Sequence, residues 1–260
     1  MIFLDSKEKK ITNKFLSQGY IINTSKKSSK SYIDDLCQEI LKKIFKSKKK
    51  INLNLLHKHV SNDDLNNFRL ELIYLLNRDD SFKYNYFNLA RNDLYSLAGN
   101  ELMMQKSINL SIQFPGDKTS LLPIHSDVWS GDSAYEINLW VPMVNCYKTK
   151  SMYILKPKYY DKFLKLMKKK KYKSSKKVYE FLKPYLEWIK INKNQFLLFN
   201  QSLPHGNVVN LENETRVSMN CRFKTIYSPY GDKKIGEFFF PITKRAISDI
   251  GEQYKSPFEK

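Results

Sequence analysis

The chain has 260 residues, 42% hydrophobic and 14% aromatic, a composition that excludes a disordered protein and lets roughly 70–75% of the unfolded surface be buried. Its 45 lysines and arginines outweigh 26 acids to give a formal net charge of +19, compatible with an anionic partner or with a solvated lysine surface. No apolar run approaches the ~18 residues of a membrane span, and the opening MIFLDSKEKK lacks the plan of a secretory leader.

The first hundred residues read as mostly helical. FLSQGYIINTS predicts a helix end, a glycine turn and a short strand. In SYIDDLCQEILKKIF, residues Ile33, Cys37, Ile40, Leu41 and Ile44 form one helical stripe. SNDDLNNFRLELIYLLN opens with Ser61 as the expected N-cap. Helix packing is the expectation for the tyrosines around Lys83–Phe87.

From Ile108 the period changes to two. INLSIQF, YEINLWV and RVSMNCRF alternate apolar and polar residues, and SMYIL and NQFLLFN read as shorter strands. Several such strands separated by turns predict an antiparallel sandwich or barrel. Residues 157–190 read as a lysine-rich helical insertion between strands. The polar strand faces carry Gln113, Asn138, Trp140, Arg216 and Arg222, and near the histidines they are expected to face a ligand-holding interior. The chain is expected to be one domain over 1–260: a mostly helical part to 105, a β core over 106–226, and a C-terminal extension over 227–260.

LPIHSDVWSG places His125 and Asp127 one residue apart in a chain with four histidines, and His205 follows the strand FLLFN. Two histidines and a carboxylate on one face of an ion leave three positions open, the facial triad of non-haem Fe(II) oxygenases. A structural zinc site would be closed, typically with cysteine, but Cys37, Cys146 and Cys221 are far apart and fit reduced, buried thiols in a cytoplasmic protein. Arg216 comes eleven positions after His205, with Ser218 two further along the same strand face. A guanidinium there can grip the far carboxylate of 2-oxoglutarate, Ser218 adding a hydrogen bond. The bland alternative for Arg216 is a surface ion pair with Glu212 or Glu214. His57 and His59 read as a surface or loop feature, and Trp129 and Trp188 as core or lid packing.

HSD, then NLWVP, then HG with R-V-S eleven residues later resembles the Fe(II)/2-oxoglutarate-dependent dioxygenases. It is most similar to their phytanoyl-CoA-dioxygenase-like branch, particularly members from carbohydrate-biosynthesis clusters. The resemblance runs from about Phe15 to Phe223 and is specific only over 108–142 and 195–223. It implies an α+β fold with a mainly β core: a double-stranded β-helix (jelly-roll, cupin-like) with N-terminal helices and a helical insertion between strands. It implies Fe(II) on His125, Asp127 and His205, with 2-oxoglutarate and O2 as co-substrates. Arg216, Ser218, Asn207, Trp140 and Gln113 would surround the 2-oxoglutarate, Asn207 standing where the branch often has a small hydroxyl residue. The implied activity is hydroxylation of a small molecule, such as a sugar or nucleotide-sugar, carbohydrate or anionic in character. The lysine-rich insertion departs from the family pattern. A nucleic-acid-modifying dioxygenase and a non-catalytic cupin-like carbohydrate-binding module are the alternatives.

Overall fold

A computed structural model of the chain describes residues 3–168 and 174–258. The early part is helical as expected, with α1 (Ser6–Gln18), α2 (Lys27–Ile44), α3 (Leu65–Asn77), α4 (Asp80–Asn88) and α5 (Arg91–Ala98). Between α1 and α2 runs strand β1 (Tyr20–Thr24). The turn joining α1 to β1 needs Gly19: its φ is 79°, and a Cβ there would stand 2.3 Å from Leu203 Cδ1. Along α2 the predicted stripe holds, with Ile33, Cys37, Ile40 and Leu41 buried and Ile44 half-buried. On α4, Tyr86 and Phe87 are buried, but Tyr84 is exposed. Ser61 is a correction. Helix α3 starts at Leu65, and the Ser61 hydroxyl instead accepts from the Asp64 N–H and donates to the Asp64 carboxylate. Two adjacent acids so early in the segment favour a turn, and the helix begins after it.

Strands β2 (Leu102–Gln105), β3 (Asn109–Gln113), β4 (Ile137–Pro142), β7 (Gln195–Phe199), β9 (Arg216–Thr225) and β10 (Phe239–Thr243) join β1 in a seven-stranded antiparallel sheet. Its order is β1-β7-β4-β9-β2-β10, with β3 also on β9. The ten residues of β9 are long enough to take β3 along their first half (Asn109 opposite Asn220, Gln113 opposite Arg216). Their second half takes β2 (Met104 opposite Phe223). A second, three-stranded sheet is ordered β6 (Leu186–Trp188), β5 (Tyr153–Leu155), β8 (His205–Gly206).

Alternation along β4, β7 and β9 gives the large sheet two unlike faces. Leu139, Val141, Leu198, Val217, Met219, Cys221 and Phe223 pack in one apolar cluster with residues of α2 to α5. Burying each such side chain contributes about 1.5–3 kcal/mol. The opposite face carries Asn138, Trp140, Arg216, Asn220 and Arg222 into an internal cavity, as the polar strand rows predict. The three free cysteines are buried.

The insertion folds as α6 (Tyr160–Lys168) and α7 (Ser175–Leu182), and part of its lysine run, 169–173, lies outside the described residues. It is not helical throughout, because its end forms β6, paired with β5. Pro184 interrupts the helix there, and Leu186 and Trp188 then alternate as strand residues do. Strands β2 and β10, like the two-residue β8, lie where none was expected. β2 falls in the part read as helical, and β10 pairs with it from the C-terminal extension. The last helix, α8 (Ala246–Gln253), follows β10. No helix among the described residues is long and apolar enough to cross a membrane.

Candidate metal centre

His125 and His205 are brought together by backbone. Each N–H donates to the other's carbonyl, at 2.9 and 2.8 Å, and the imidazole centroids stand 4.4 Å apart. The approach depends on Gly206, where a Cβ would lie 2.6 Å from the Leu122 carbonyl oxygen and 2.7 Å from the Tyr153 hydroxyl. Ser126 is extended (φ −125°, ψ 134°), so the side chains on either side of it can point the same way. Asp127 then opens a short 3-10 turn through Ser130 that Gly131 closes at φ 84°. The Asp127 N–H donates to the Gln201 carbonyl at 3.1 Å, anchoring the turn beside His205.

Each imidazole has its Nδ1 2.8 Å from a backbone carbonyl two residues earlier, Pro123 for His125 and Leu203 for His205. A carbonyl only accepts, so Nδ1 carries the hydrogen and Nε2 presents its lone pair. Both Nε2 atoms converge on one carboxylate oxygen, Asp127 Oδ1, at 3.3 Å (His125) and 3.5 Å (His205). The three donor atoms lie within 4.8 Å of one another, and no other cluster of this kind occurs among the described residues. An ion at about 2.1 Å from two donors at right angles would hold them about 3 Å apart, so the set fits a divalent metal.

The other carboxylate oxygen is engaged: Arg222 Nη2 donates to Asp127 Oδ2 at 2.9 Å. Arg222 is held in turn by Gln201 Oε1 at 3.1 Å, Gln105 Oε1 at 3.3 Å and Asp132 Oδ1 at 3.3 Å. Burial works to raise the Asp127 carboxyl, but the two imidazoles, which donate to it when they are protonated, and the positive charge nearby hold it well below the usual carboxylate range. For His125, burial lowers the imidazole, yet the bonds to Asp127 and the Pro123 carbonyl win and raise it. The triad is thus one ionised oxygen facing two lone pairs, a natural cation site.

The triad opens on a cavity of about 810 Å³. Arg216 is 3% exposed. Its Nη2 donates to Ser111 Oγ at 2.9 Å and its Nη1 reaches the Ser151 carbonyl at 3.4 Å. It makes no ion pair among the described residues; Glu214 pairs instead with Lys150 at 2.6 Å, and Glu212 with Lys148 at 3.9 Å. The surface-pair reading of Arg216 is therefore wrong. Arg216 Nε, Ser218 Oγ and Asn138 Oδ1 are buried with no hydrogen-bond partner among the described residues. A buried guanidinium without a counter-ion is costly, and on a cavity wall it marks a place for an anionic ligand. Burial also lowers the Arg216 pKa.

Of the residues singled out from sequence, Trp140, Asn207 and Arg216 line the cavity with the triad. Asn207 Oδ1 accepts from the Leu122 N–H at 2.7 Å, holding the segment that leads to His125. Ser218 stands between Arg216 and Asn220 in the β9 polar row but is not in the lining. Gln113 lies beside the cavity, its amide donating to the Val208 carbonyl at 2.7 Å. His57 belongs neither to the donor cluster nor to the cavity lining, and it hydrogen-bonds Thr215 at 2.9 Å. Trp129 stacks on Phe163 at 5.6 Å and Trp188 packs edge-on to Tyr153 at 5.4 Å, both packing roles. Sequence reasoning missed the parts played by Arg222, Gln201 and Asp132. The alternation of RVSMNCRF put Arg222 on the site face, the one available signal.

No protein-family model matches the chain, and no curated protein matches it in sequence. Its fold is that of solved non-haem oxygenases. It is similar to a non-heme monooxygenase, ThoJ, in complex with nickel (TM-score 0.57, 13% identity, 92% of this chain and 85% of that one). It is similar to the non-heme alpha-ketoglutarate-dependent carbocyclase SnoK from nogalamycin biosynthesis (0.55, 12%, 93% and 98%). HygX from Streptomyces hygroscopicus, solved with nickel and 2-oxoglutarate bound, superimposes at 0.53 with 11% identity over 89% of this chain and 90% of its own.

Proposed function

We propose that the chain is a single-domain Fe(II)- and 2-oxoglutarate-dependent oxygenase of the phytanoyl-CoA-dioxygenase-like branch. It hydroxylates a small polar molecule such as a sugar or nucleotide-sugar, and its two sheets are the walls of a double-stranded β-helix. The observation that carries this reading is one cavity holding both the His125–Asp127–His205 donor set and a buried guanidinium with no ion pair among the described residues. The solved oxygenases above support it, since one is described with nickel and 2-oxoglutarate bound. Three free, buried thiols support a reducing compartment, the cytosol.

His125, Asp127 and His205 would hold the iron, which with 2-oxoglutarate and O2 supplies the oxidant for a C–H bond. The chain's own task is placement. Arg216 binds the distal carboxylate, Trp140 walls the cavity beside it, and Arg222 keeps Asp127 ionised with one oxygen free; the unpartnered Ser218 hydroxyl lies behind the lining and would reach the carboxylate only after a shift of that wall. Asp132 and Asp127 already neutralise Arg222; of the other two arginines on the cavity, Arg216 is buried and Arg69 only half-buried, which favours Arg216 as the guanidinium for the co-substrate. The test is succinate formation from 2-oxoglutarate with Fe(II) and O2. Wild type should turn over slowly even without substrate, and Asp127→Ala should form none. Undiminished succinate in that variant removes the assignment.

A further inference from the structure

The charges behind the triad alternate in a chain that leaves the cavity. Asp127 Oδ2 accepts from Arg222 at 2.9 Å, Arg222 Nε faces Asp132 Oδ1 at 3.3 Å, and Lys233 Nζ stands 2.7 Å from both oxygens of Asp132. The side chains are 7%, 13%, 1% and 25% exposed in that order. Lys233 belongs to the C-terminal segment, whose approach is close. The Asp232 N–H donates to the Gly131 carbonyl at 2.8 Å, and a Cβ on Gly231 would be 2.3 Å from that same oxygen. Gly131 and Asp132 immediately follow the turn that begins with Asp127. Further along the chain, Ser133 Oγ donates to the Pro229 carbonyl at 2.6 Å.

An aspartate can offer a metal one oxygen or two, and it can rotate. With Oδ2 fixed by a guanidinium, only Oδ1 is directed at the two Nε2 atoms. The guanidinium keeps that direction only if something fixes it: Gln201 and Gln105 accept hydrogen bonds from it, and Asp132 supplies the neighbouring negative charge. Asp132 is nearly fully buried between two cations, so its own position depends on both. Removing the outer cation leaves Asp132 under-compensated and free to draw Arg222 away from Asp127.

We propose that Lys233 is a positioning residue for the metal centre, acting through Asp132 and Arg222 to hold Asp127 as a one-oxygen ligand. The C-terminal segment is thereby part of the site although none of its described residues lines the cavity. This rests on the metal-centre reading above, and it assigns to residues 227–233 a role beyond covering the fold.

The experiment titrates purified full-length protein with Co(II) alone, followed by its visible absorption, without co-substrate or turnover. Wild type is compared with Arg222→Gln, Lys233→Met, the double variant, and Lys233→Arg. Lys244→Met serves as the control, since among the described residues Lys244 forms its ion pairs with Asp249 and Glu252 in the same extension. Arg222→Gln should weaken binding about 10- to 100-fold, the usual effect of losing a partner of a ligand. Lys233→Met should weaken it several-fold, Lys233→Arg should restore it, and the double variant should match Arg222→Gln, because Lys233 acts through Arg222. Lys244→Met should bind as wild type, which a general loosening of the extension would not allow. Wild-type affinity in Lys233→Met, or losses that multiply in the double variant, overturns the relay. If Lys233→Met does not fold, Asp132→Asn takes its place, with the same drop expected and the same unchanged affinity decisive against. Failure of wild type to bind Co(II), or undiminished binding by His125→Ala, refutes the metal centre itself, and the relay falls with it.

Discussion

The His125 imidazole is held above its ordinary pKa of about 6.5 by Asp127 and the Pro123 carbonyl. A divalent ion must displace that proton, so affinity falls as pH falls through the raised value, by about tenfold per unit for one proton. The sign follows from the same bonds in the metal-free protein. A raised histidine contributes stability that is present below about 6.5 and is lost as pH rises through the folded value. The metal's stabilising effect should therefore grow from mildly acidic to mildly alkaline pH, read as the difference in Tm between loaded and metal-free protein. A difference that shrinks over that range would contradict the tautomer assignment. If Arg216 grips the co-substrate as proposed, its substitution by alanine removes the charge-assisted bonds and should raise the 2-oxoglutarate dissociation constant roughly 10- to 100-fold. Metal affinity should stay unchanged, because Arg216 contacts no triad residue. The triad was legible because its residue types are scarce: four histidines in the chain, two of them near an aspartate or a strand end. The role of Arg222 was not, because alternation fixes the face of a side chain and leaves open which carboxylate from a distant turn will meet it.

At the scale of elements, the strands that could be read were those with one wet and one dry face. β3, β4 and β9 alternate because one side meets the helices and the other the cavity. β2 escaped notice because Leu102, Met103, Met104 and Gln105 are all buried, leaving no period. β8 is two residues long and β6 three, too short for any pattern, and β10 carries a proline. Yet β8 brings His205 to the triad, so the shortest element matters most. Gly206→Ala tests it. A methyl group 2.6 Å from the Leu122 carbonyl oxygen and 2.7 Å from the Tyr153 hydroxyl must push β8 away from His125. Overpacking of this kind costs about 1–3 kcal/mol, a Tm loss of several degrees, and metal affinity should fall with it. A variant that loses Tm but binds metal as wild type would show that β8 can shift without moving His205.

For the whole molecule, the +19 charge is what motivates the nucleic-acid alternative to a small-molecule enzyme. Among the described residues three arginines line the cavity: Arg222 is paired with Asp127 and Asp132, Arg69 is hydrogen-bonded to Asn66, and Arg216 is the buried one that the proposed reading gives to 2-oxoglutarate. Lys43, Lys46, Lys48, Lys49 and Lys50 in the run at 42–50 are exposed at the end of α2, remote in sequence from the triad. We expect weak duplex or single-strand binding at low salt that disappears near physiological salt, measured by fluorescence anisotropy. Tight binding that survives there would favour the nucleic-acid alternative. The central claim, that three side chains hold iron with 2-oxoglutarate against Arg216, is tested most directly by an anaerobic absorption spectrum. Adding Fe(II) and 2-oxoglutarate to wild type should produce the visible charge-transfer band of the chelate, which His205→Ala should lack and Arg216→Ala should show only at much higher 2-oxoglutarate. A flat spectrum from folded wild-type protein at saturating Fe(II) and 2-oxoglutarate would contradict the account.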